Sequence, residues 1–410
     1  MSRVPPSSSL KTAERRSTAL AICGLALFCG SCSRSSANFA DSWNSKAAAR
    51  YLDQREGTWA AWSRAARDRG TFCVSCHTVM PYALSRGAID SAIGPNSLAL
   101  NQRKLVDDVT TRVRMWNEIR PYYPSQAAPS RGTEAVLNAL VLANADARTG
   151  KLSADTRLAF GEMWSLQQAA GAQRGAWQWI EFNNEPWEAY DSAFYGATLA
   201  AIATGMAPEN YRSSPQVQPN LQILREYLNR EYSKQTLLNR ISLLWASAKI
   251  PGLLSPEQQQ SIVSEIFSKQ QSDGGWSASS LVGTWRRRDN TPLVATSDGY
   301  ATGLIAYILQ QIGLGRDEAH VQHGLSWLVR NQNWGGQWSA YSLNKRRLNP
   351  FSNAYDFMDD AATAYAVLAL TQAGTRQGST SAEQIPVLSS PETNPRVTTP
   401  EHSNSSNPPE

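Results

Sequence analysis

Two cysteines and a histidine form the pattern Cys73-Val74-Ser75-Cys76-His77. This spacing is typical of covalent c-type haem attachment, in which each thiol adds to one vinyl group of the porphyrin. One helical turn between the cysteines would separate the two sulfurs by about the span between the vinyl groups. His77 follows directly and would lie under the iron as its proximal ligand. We therefore expect covalent haem c on Cys73 and Cys76, with His77 bound to the metal.

The same cysteine spacing serves other chemistry. A Cys-x-x-Cys pair forms half of many zinc sites, and it also forms redox or structural disulfides. A structural zinc ion needs four ligands, and no second Cys/His pair lies near Cys73 and Cys76 in the sequence. A zinc site and a Cys73–Cys76 disulfide remain the alternatives to haem.

Residues 1–40 have the pattern of an export signal, in which two arginines precede an apolar run at 19–29. That run is too short to span a bilayer as a helix. Gly30-Ser31-Cys32 resembles the end of a bacterial lipoprotein signal, in which Cys32 becomes the lipidated first residue. Ordinary cleavage near Ala37 or Ala40 is the alternative. We expect a protein of the periplasm or cell envelope, with membrane association if Cys32 is lipidated.

Export has a consequence for the cysteines. The chain has five, and three of them lie at or before Cys32, where they are removed or lipidated. Cys73 and Cys76 would then be the free thiols of the mature protein, in the oxidising compartment where c-type haem is attached. The two predictions support each other.

Composition bounds the remaining possibilities. A chain of 410 residues with 41% apolar content can bury a large core. The net charge of +5 is mild, and no long basic run interleaves with aromatic residues, so nucleic-acid binding has little support. The 14 tryptophans cluster around 177–187, 276–285 and 327–338, which indicates a repeated packing motif.

The chain divides by composition into four segments. After the signal, residues 41–132 have the composition of a helical module that carries the haem motif, and it ends in a proline-rich boundary. Residues 133–374 are rich in helix-forming sequence. Residues 375–410 are rich in Ser, Thr, Pro and Asn and are predicted to form a disordered tail.

The segment 133–374 contains an internal repeat of a helix, a turn with Gln, Gly and Trp, a long loop and a second helix. The turns end at Trp177, Trp276 and Trp338, and the helices after the loops begin at Asp191, Asp298 and Asp360. In the second and third copies, tryptophan and aspartate are 22 residues apart. Such a unit is a helix pair that cannot bury both of its faces alone, so the copies must stack.

The turns Gln271-Ser272-Asp273-Gly274-Gly275-Trp276 and Gln332-Asn333-Trp334-Gly335-Gly336-Gln337-Trp338 resemble the glutamine–tryptophan repeats of squalene-hopene cyclases and related prenyltransferase-type toroids. The resemblance covers about 134–374. It implies an all-α fold, an (α/α) barrel of inner and outer helices. A glycine pair permits the tight turn, and the glutamine amide can bond backbone groups at a neighbouring helix end.

A squalene-hopene cyclase uses an Asp-x-Asp-Asp motif as its protonating acid. The nearest match here, Asp356-Phe357-Met358-Asp359-Asp360, has one residue too many before the acidic pair. Asp360 also lies in repeat register with Asp298, which predicts acids that complement helix N-termini. A shared fold does not transfer an activity, so catalysis is left open.

Two further groups have a structural and a functional interpretation. Arg286-Arg287-Arg288 and Lys345-Arg346-Arg347 are predicted on one rim of the toroid, either as solvated loops or as a site for haem propionates, lipid headgroups or an acidic partner. The aromatic residues of 177–195 either pack in the core or line an apolar cavity. His320 and His323 are expected to be surface histidines.

We therefore expect an exported c-type haem protein that performs electron transfer or haem-based redox chemistry at the cell envelope. Its toroid would bind a redox partner or an apolar small molecule. One alternative is an isoprenoid-processing enzyme or apolar-ligand toroid, which rests on the repeats. Another is a non-catalytic scaffold in which Cys73 and Cys76 form a disulfide.

Overall fold

Helices make up the regular structure of the chain in a computed structural model that describes residues 43–93 and 100–375. The predicted export signal with Cys32, and the predicted tail beyond residue 375, lie outside the described residues. Within the two ranges the α-helices are α1 Ser45–Ala60, α2 Val79–Arg86, α3 Asp90–Ile93, α4 Leu100–Arg114, α5 Ala127–Thr149, α6 Ala154–Ser165, α7 Ser192–Met206, α8 Gln218–Glu231, α9 Leu237–Lys249, α10 Pro256–Ser268, α11 Gly299–Gln311, α12 Ala319–Arg330 and α13 Phe357–Thr375. The predicted all-α class is confirmed.

Six of these helices form a closed inner ring. α5 packs on α7, α7 on α9, α9 on α11, α11 on α13, α13 on α2, and α2 on α5. The outer layer is formed by helices that pack on the ring from outside, with α6 on α5, α8 on α7, α10 on α9 and α12 on α11. Outer and inner helices therefore alternate along the chain, and the fold is the predicted (α/α) toroid.

The sequence of each helix explains its layer. Inner helix α7 consists mainly of small and apolar residues that are buried around the whole helix. Outer helix α8 buries Leu221, Leu224, Tyr227 and Leu228, which recur on one face, and exposes polar residues elsewhere. Close contact between inner helices depends on Gly303 of α11, where a Cβ atom would lie 2.6 Å from the Ala366 nitrogen of α13.

The repeat tryptophans Trp177, Trp276 and Trp338 are fully buried. Each indole N–H donates to a carbonyl at or near the end of the outer helix before it. The acceptors are Met163 at 2.6 Å, Ile266 at 2.8 Å and Leu328 at 2.7 Å. The three predicted copies thus share one hydrogen-bonding scheme.

The repeat glutamines join each turn to the next outer helix. The side-chain amides of Gln167, Gln270 and Gln332 donate to the backbone carbonyls of Asn220, His320 and Asn44, over 2.9–3.1 Å. The second copy uses Gln270, whereas the sequence pattern indicated Gln271. In the third copy, the next outer helix is α1, because Asn44 is its N-cap residue.

Helix α1 therefore closes the outer layer, and α2 closes the inner ring. Gly336, with a φ of 98°, packs so tightly on α1 that a Cβ atom would lie 2.3 Å from the Ala47 carbonyl carbon. α5 runs through residue 132, where the predicted boundary between the helical module and the toroid lies, and the described residues belong to one compact unit. Among the described helices, none is long and apolar enough to cross a membrane.

Candidate cofactor site

The loop between α1 and α2 carries the Cys-x-x-Cys-His motif and is held on both sides. The Trp59 indole donates to the Cys73 carbonyl at 2.8 Å, and the Asp108 carboxylate accepts from the Phe72 nitrogen at 2.8 Å. The Ser75 hydroxyl accepts from the Val79 nitrogen, where α2 begins. The prediction of one helical turn between the cysteines is not met, because these bonds keep the motif in the loop before the helix.

The two cysteines are free thiols and are buried, each with 3% of its surface exposed. Burial raises the pKa of Cys73 to about 11 and that of Cys76 well above its usual value, and the nearby Glu188 acts in the same direction. Both thiols are therefore protonated at neutral pH. Within the ranges that the structure describes, no group of three or more His, Cys, Asp and Glu side chains could hold a metal ion. The zinc alternative gains no support.

His77 lies among aromatic rings. Its imidazole stacks on Phe357 of α13, with 3.7 Å between ring centroids, and meets Trp59 edge-on at 4.9 Å. Trp187 lies 6.0 Å away. Burial lowers the pKa of His77 to about 3, and the charges of Arg55 and Arg347 add to the effect. The ring is therefore neutral at physiological pH, which is the form that binds metals.

A chain of hydrogen bonds connects His77 to Asp360 of α13, which is distant in the sequence. His77 Nδ1 lies 2.9 Å from the Thr78 hydroxyl, which donates to Asp360 Oδ2 at 2.6 Å. Asp360 also accepts from the Arg55 guanidinium, at 2.7 and 3.2 Å, and from the Tyr51 hydroxyl at 3.0 Å. Burial raises the pKa of the Asp360 carboxyl, and Arg55 opposes that rise.

The repeat register of the acids differs from the predicted one. Asp298 accepts from the Ala278 nitrogen, two residues after its repeat tryptophan, and Asp359 accepts from the equivalent Ala340 nitrogen. Asp359, not Asp360, is therefore the counterpart of Asp298. Counting residues from the tryptophan missed this because the loop of the third copy is one residue shorter than that of the second.

A row of aromatic side chains extends from His77 along the inner ring of helices. Successive ring centroids are 5.7 Å apart for Trp187 and Tyr300, 5.8 Å for Tyr300 and Tyr365, and 6.4 Å for Tyr365 and Trp245. These residues come from α9, α11, α13 and the loop before α7, and all of them are buried. The sequence indicated Trp187 only as a residue of the core or of an apolar cavity, and it missed the others, which are spread along the inner helices without a local signal.

The two basic clusters do lie side by side. The Arg288 nitrogen donates to the Asn344 carbonyl at 3.0 Å, which joins the two loops. Arg287 is buried and donates to the Ser342 and Pro292 carbonyls, so its role is structural. Arg347 is half-buried, and its Nε has no hydrogen-bond partner. The hypothesis of an anion-binding rim therefore loses Arg287 and rests on the other five basic residues.

The remaining histidines of the toroid lie on outer helix α12. His320 stacks on Phe267 at 3.9 Å, with its Nδ1 3.0 Å from Glu318, and His323 is exposed. Both are surface residues, as expected from the sequence.

Comparison with protein-family models and with curated proteins finds no match. Among solved structures, the chain is similar to a glycosidase variant in complex with glucose. The two share 13% sequence identity and a TM-score of 0.44, and the match covers 79% of this chain and 97% of that one. A likeness at this level carries no argument about function.

The donor groups present at the site are those that a covalent haem requires. Two free thiols precede a neutral imidazole in the loop, and the imidazole Nδ1 already has a hydrogen-bond partner. Metal-binding histidines commonly make such a bond through the ring nitrogen that is not on the metal. Closely packed aromatic rings around the imidazole supply the apolar surroundings that haem pockets use to control redox potential.

Proposed function

We propose that this protein is an exported c-type haem protein that transfers electrons at the cell envelope. The observation that carries the proposal is the placement of Cys73, Cys76 and His77. Two free thiols and a neutral imidazole lie in the loop between α1 and α2, within a sequence motif typical of haem attachment. The proposal is also supported by the predicted export signal, which would deliver the chain to the compartment where such attachment occurs.

Each residue has a stated part in this proposal. Cys73 and Cys76 would hold the porphyrin through thioether bonds, and His77 would bind the iron. Haem supplies one-electron redox chemistry when bound. The protein's own contribution is to exclude water and fix the imidazole, and the ring contacts with Phe357 and Trp59 do both.

The repeats resemble those of squalene-hopene cyclases, but the hydrogen bonds of Asp360 do not favour a proton-donating role for that acid. A protonating acid must carry a proton that it can release to the substrate. Asp360 instead accepts hydrogen bonds from Arg55, Tyr51 and Thr78, an arrangement that suits a carboxylate. We therefore propose that the toroid serves as the scaffold of the redox centre, with a redox partner as its ligand.

The proposal is tested by producing the full chain in a bacterial host with haem-maturation machinery. We expect a haem absorption band that survives acid-acetone extraction and an increase in mass by one haem. The Cys73→Ala/Cys76→Ala variant should lack both. The matched control Cys32→Ala removes a cysteine outside the motif and should keep its haem. Wild-type protein without covalent haem would refute the proposal.

Two further measurements on the same samples separate the remaining functions. Reversible reduction of the haem without carbon monoxide binding supports electron transfer, whereas carbon monoxide binding indicates an open iron site and ligand chemistry. Incorporation of labelled fatty acid in wild type, but not in Cys32→Ala, would show that the lipoprotein signal is used. A mass lower by two hydrogens and no haem would indicate the Cys73–Cys76 disulfide.

A further inference from the structure

The hydrogen bonds at Asp360 determine where the imidazole proton of His77 lies. The Arg55 guanidinium and the Tyr51 and Thr78 hydroxyls give the carboxylate four hydrogen bonds, two to each oxygen. This leaves no oxygen free to carry a proton of its own. The Thr78 hydroxyl has one proton, which it donates to Asp360. Its oxygen can therefore only accept from His77, so the imidazole proton lies on Nδ1.

The position of this proton has a direct chemical consequence. An imidazole with its proton on Nδ1 has an unprotonated Nε2, whose lone pair is free to bind a metal. A carboxylate at the far end of the hydrogen-bond chain also makes the imidazole a stronger electron donor. Asp360 would act on His77 in both ways without touching the cofactor.

The repeats themselves do not require an acid at this position. Asp359 already accepts the hydrogen bond from the backbone nitrogen two residues after the tryptophan, as Asp298 does in the preceding copy. The residue equivalent to Asp360 in the preceding copy is Gly299. A Cβ atom added at Gly299 would lie 2.5 Å from the Cβ atom of Trp338. Asp360 thus departs from the repeat, and its partners Tyr51, Arg55 and Thr78 all lie in the segment that carries the haem motif.

We propose that Asp360, acting through Thr78, is a positioning residue that fixes His77 with its proton on Nδ1 and its Nε2 unprotonated. This inference rests on the proposed function for its purpose, but the geometry that carries it does not involve haem. Arg55 and Tyr51 hold the Asp360 carboxylate in place from α1. The ring closure by α1 and α2 is therefore what assembles the chain of hydrogen bonds.

The first test uses the haem-free full chain, made without maturation machinery and labelled with ¹⁵N at histidine. The chain has four histidines, and loss of one set of signals in His77→Gln assigns the ring. We expect wild type to carry the proton on Nδ1. Thr78→Val, which keeps the shape but removes the hydroxyl, should lose this single form, and Thr78→Ser should restore it. A proton on Nε2 in wild type, or an unchanged spectrum in Thr78→Val, would overturn the proposal.

The second test measures the reduction potential of the haem-loaded protein. Thr78→Val and Asp360→Asn should both raise the reduction potential. We expect the ratio of reduced to oxidised haem at a fixed solution potential to increase by about tenfold, which is about 59 mV for a one-electron couple. Asp359→Asn is the matched control, because it changes the neighbouring acid and keeps an oxygen for the Ala340 nitrogen. Equal potentials in all variants would also overturn the proposal. If wild type binds no haem, the proposed function fails, and the tautomer measurement still decides this inference.

Discussion

Replacing Glu134 with leucine is expected to destabilise the fold by about 3–5 kcal/mol, because it leaves a buried arginine without its counter-charge. Glu134 of α5 and Arg112 of α4 are both completely buried, and 2.6 Å separates Glu134 Oε1 from Arg112 Nε. A second cation, Arg131, lies 3.6 Å from the other carboxylate oxygen. The substitution removes the acid between two positive charges.

The size of the effect depends on which contacts Arg112 keeps after the substitution. After the substitution, its guanidinium would still donate to the Thr71 hydroxyl at 2.8 Å and to the Arg120 carbonyl at 3.0 Å. It would also still lie over the Tyr122 ring, 4.5 Å from the centroid. These contacts satisfy N–H groups but supply no negative charge, so Arg112 loses the ion-pair partner that offsets most of its desolvation. Glu134→Gln keeps an acceptor for Arg112 and should have a smaller effect.

The measurement is urea unfolding followed by tryptophan fluorescence, with the change in midpoint compared across the variants. The control is Asp155→Asn, which breaks the exposed ion pair between Arg114 and Asp155, with 2.7 Å between Arg114 Nε and Asp155 Oδ1. Exposed pairs contribute about 1 kcal/mol or less, so the control should unfold close to wild type. A midpoint for Glu134→Leu no lower than that of Asp155→Asn would refute the reasoning.

Two other predictions concern pH and ring closure. Burial raises the pKa of Glu56 from 4.5 to about 8, so the folded state binds more protons and stability should fall, by up to about 5 kcal/mol, as pH rises through that window. Glu56→Gln should remove this pH dependence of the urea midpoint, and an equal slope in both proteins would contradict it. Gln332→Ala removes the bonds to the Asn44 and Gly336 carbonyls, worth about 1–3 kcal/mol, and should speed amide exchange in α1. The matched change Gln270→Ala should affect α12 instead, and unchanged exchange in α1 would count against the role of Gln332.

The toroid could be predicted from the sequence because its turns are local. A glycine in the left-handed region, a glutamine and a tryptophan within about ten residues give each turn a pattern that repeats along the chain. The same reasoning did not place α1 and α2 in the toroid. These helices have no repeat motif of their own, and only their contacts reveal that they complete the ring.

The acids show where counting residues reaches its limit. Equal spacing from the tryptophans matched Asp360 with Asp298. The true counterpart of Asp298 is Asp359, one position earlier. What defines the register is the hydrogen bond from a backbone nitrogen after the tryptophan, which Asp359 accepts. A loop can lose one residue without disturbing that bond, so loop length is a poor guide to register.

The sequence by itself determined the candidate attachment site, because two thiols and an imidazole within five residues are brought together by covalent connectivity alone. It could not determine the surroundings of His77. Thr78 and Asp360 are 282 positions apart, and Phe357 comes from the same distant helix. Only closure of the ring, driven by burial of the apolar faces of α1, α2 and α13, brings these side chains to the histidine. Tertiary structure therefore decided how His77 is held, oriented and hydrogen-bonded.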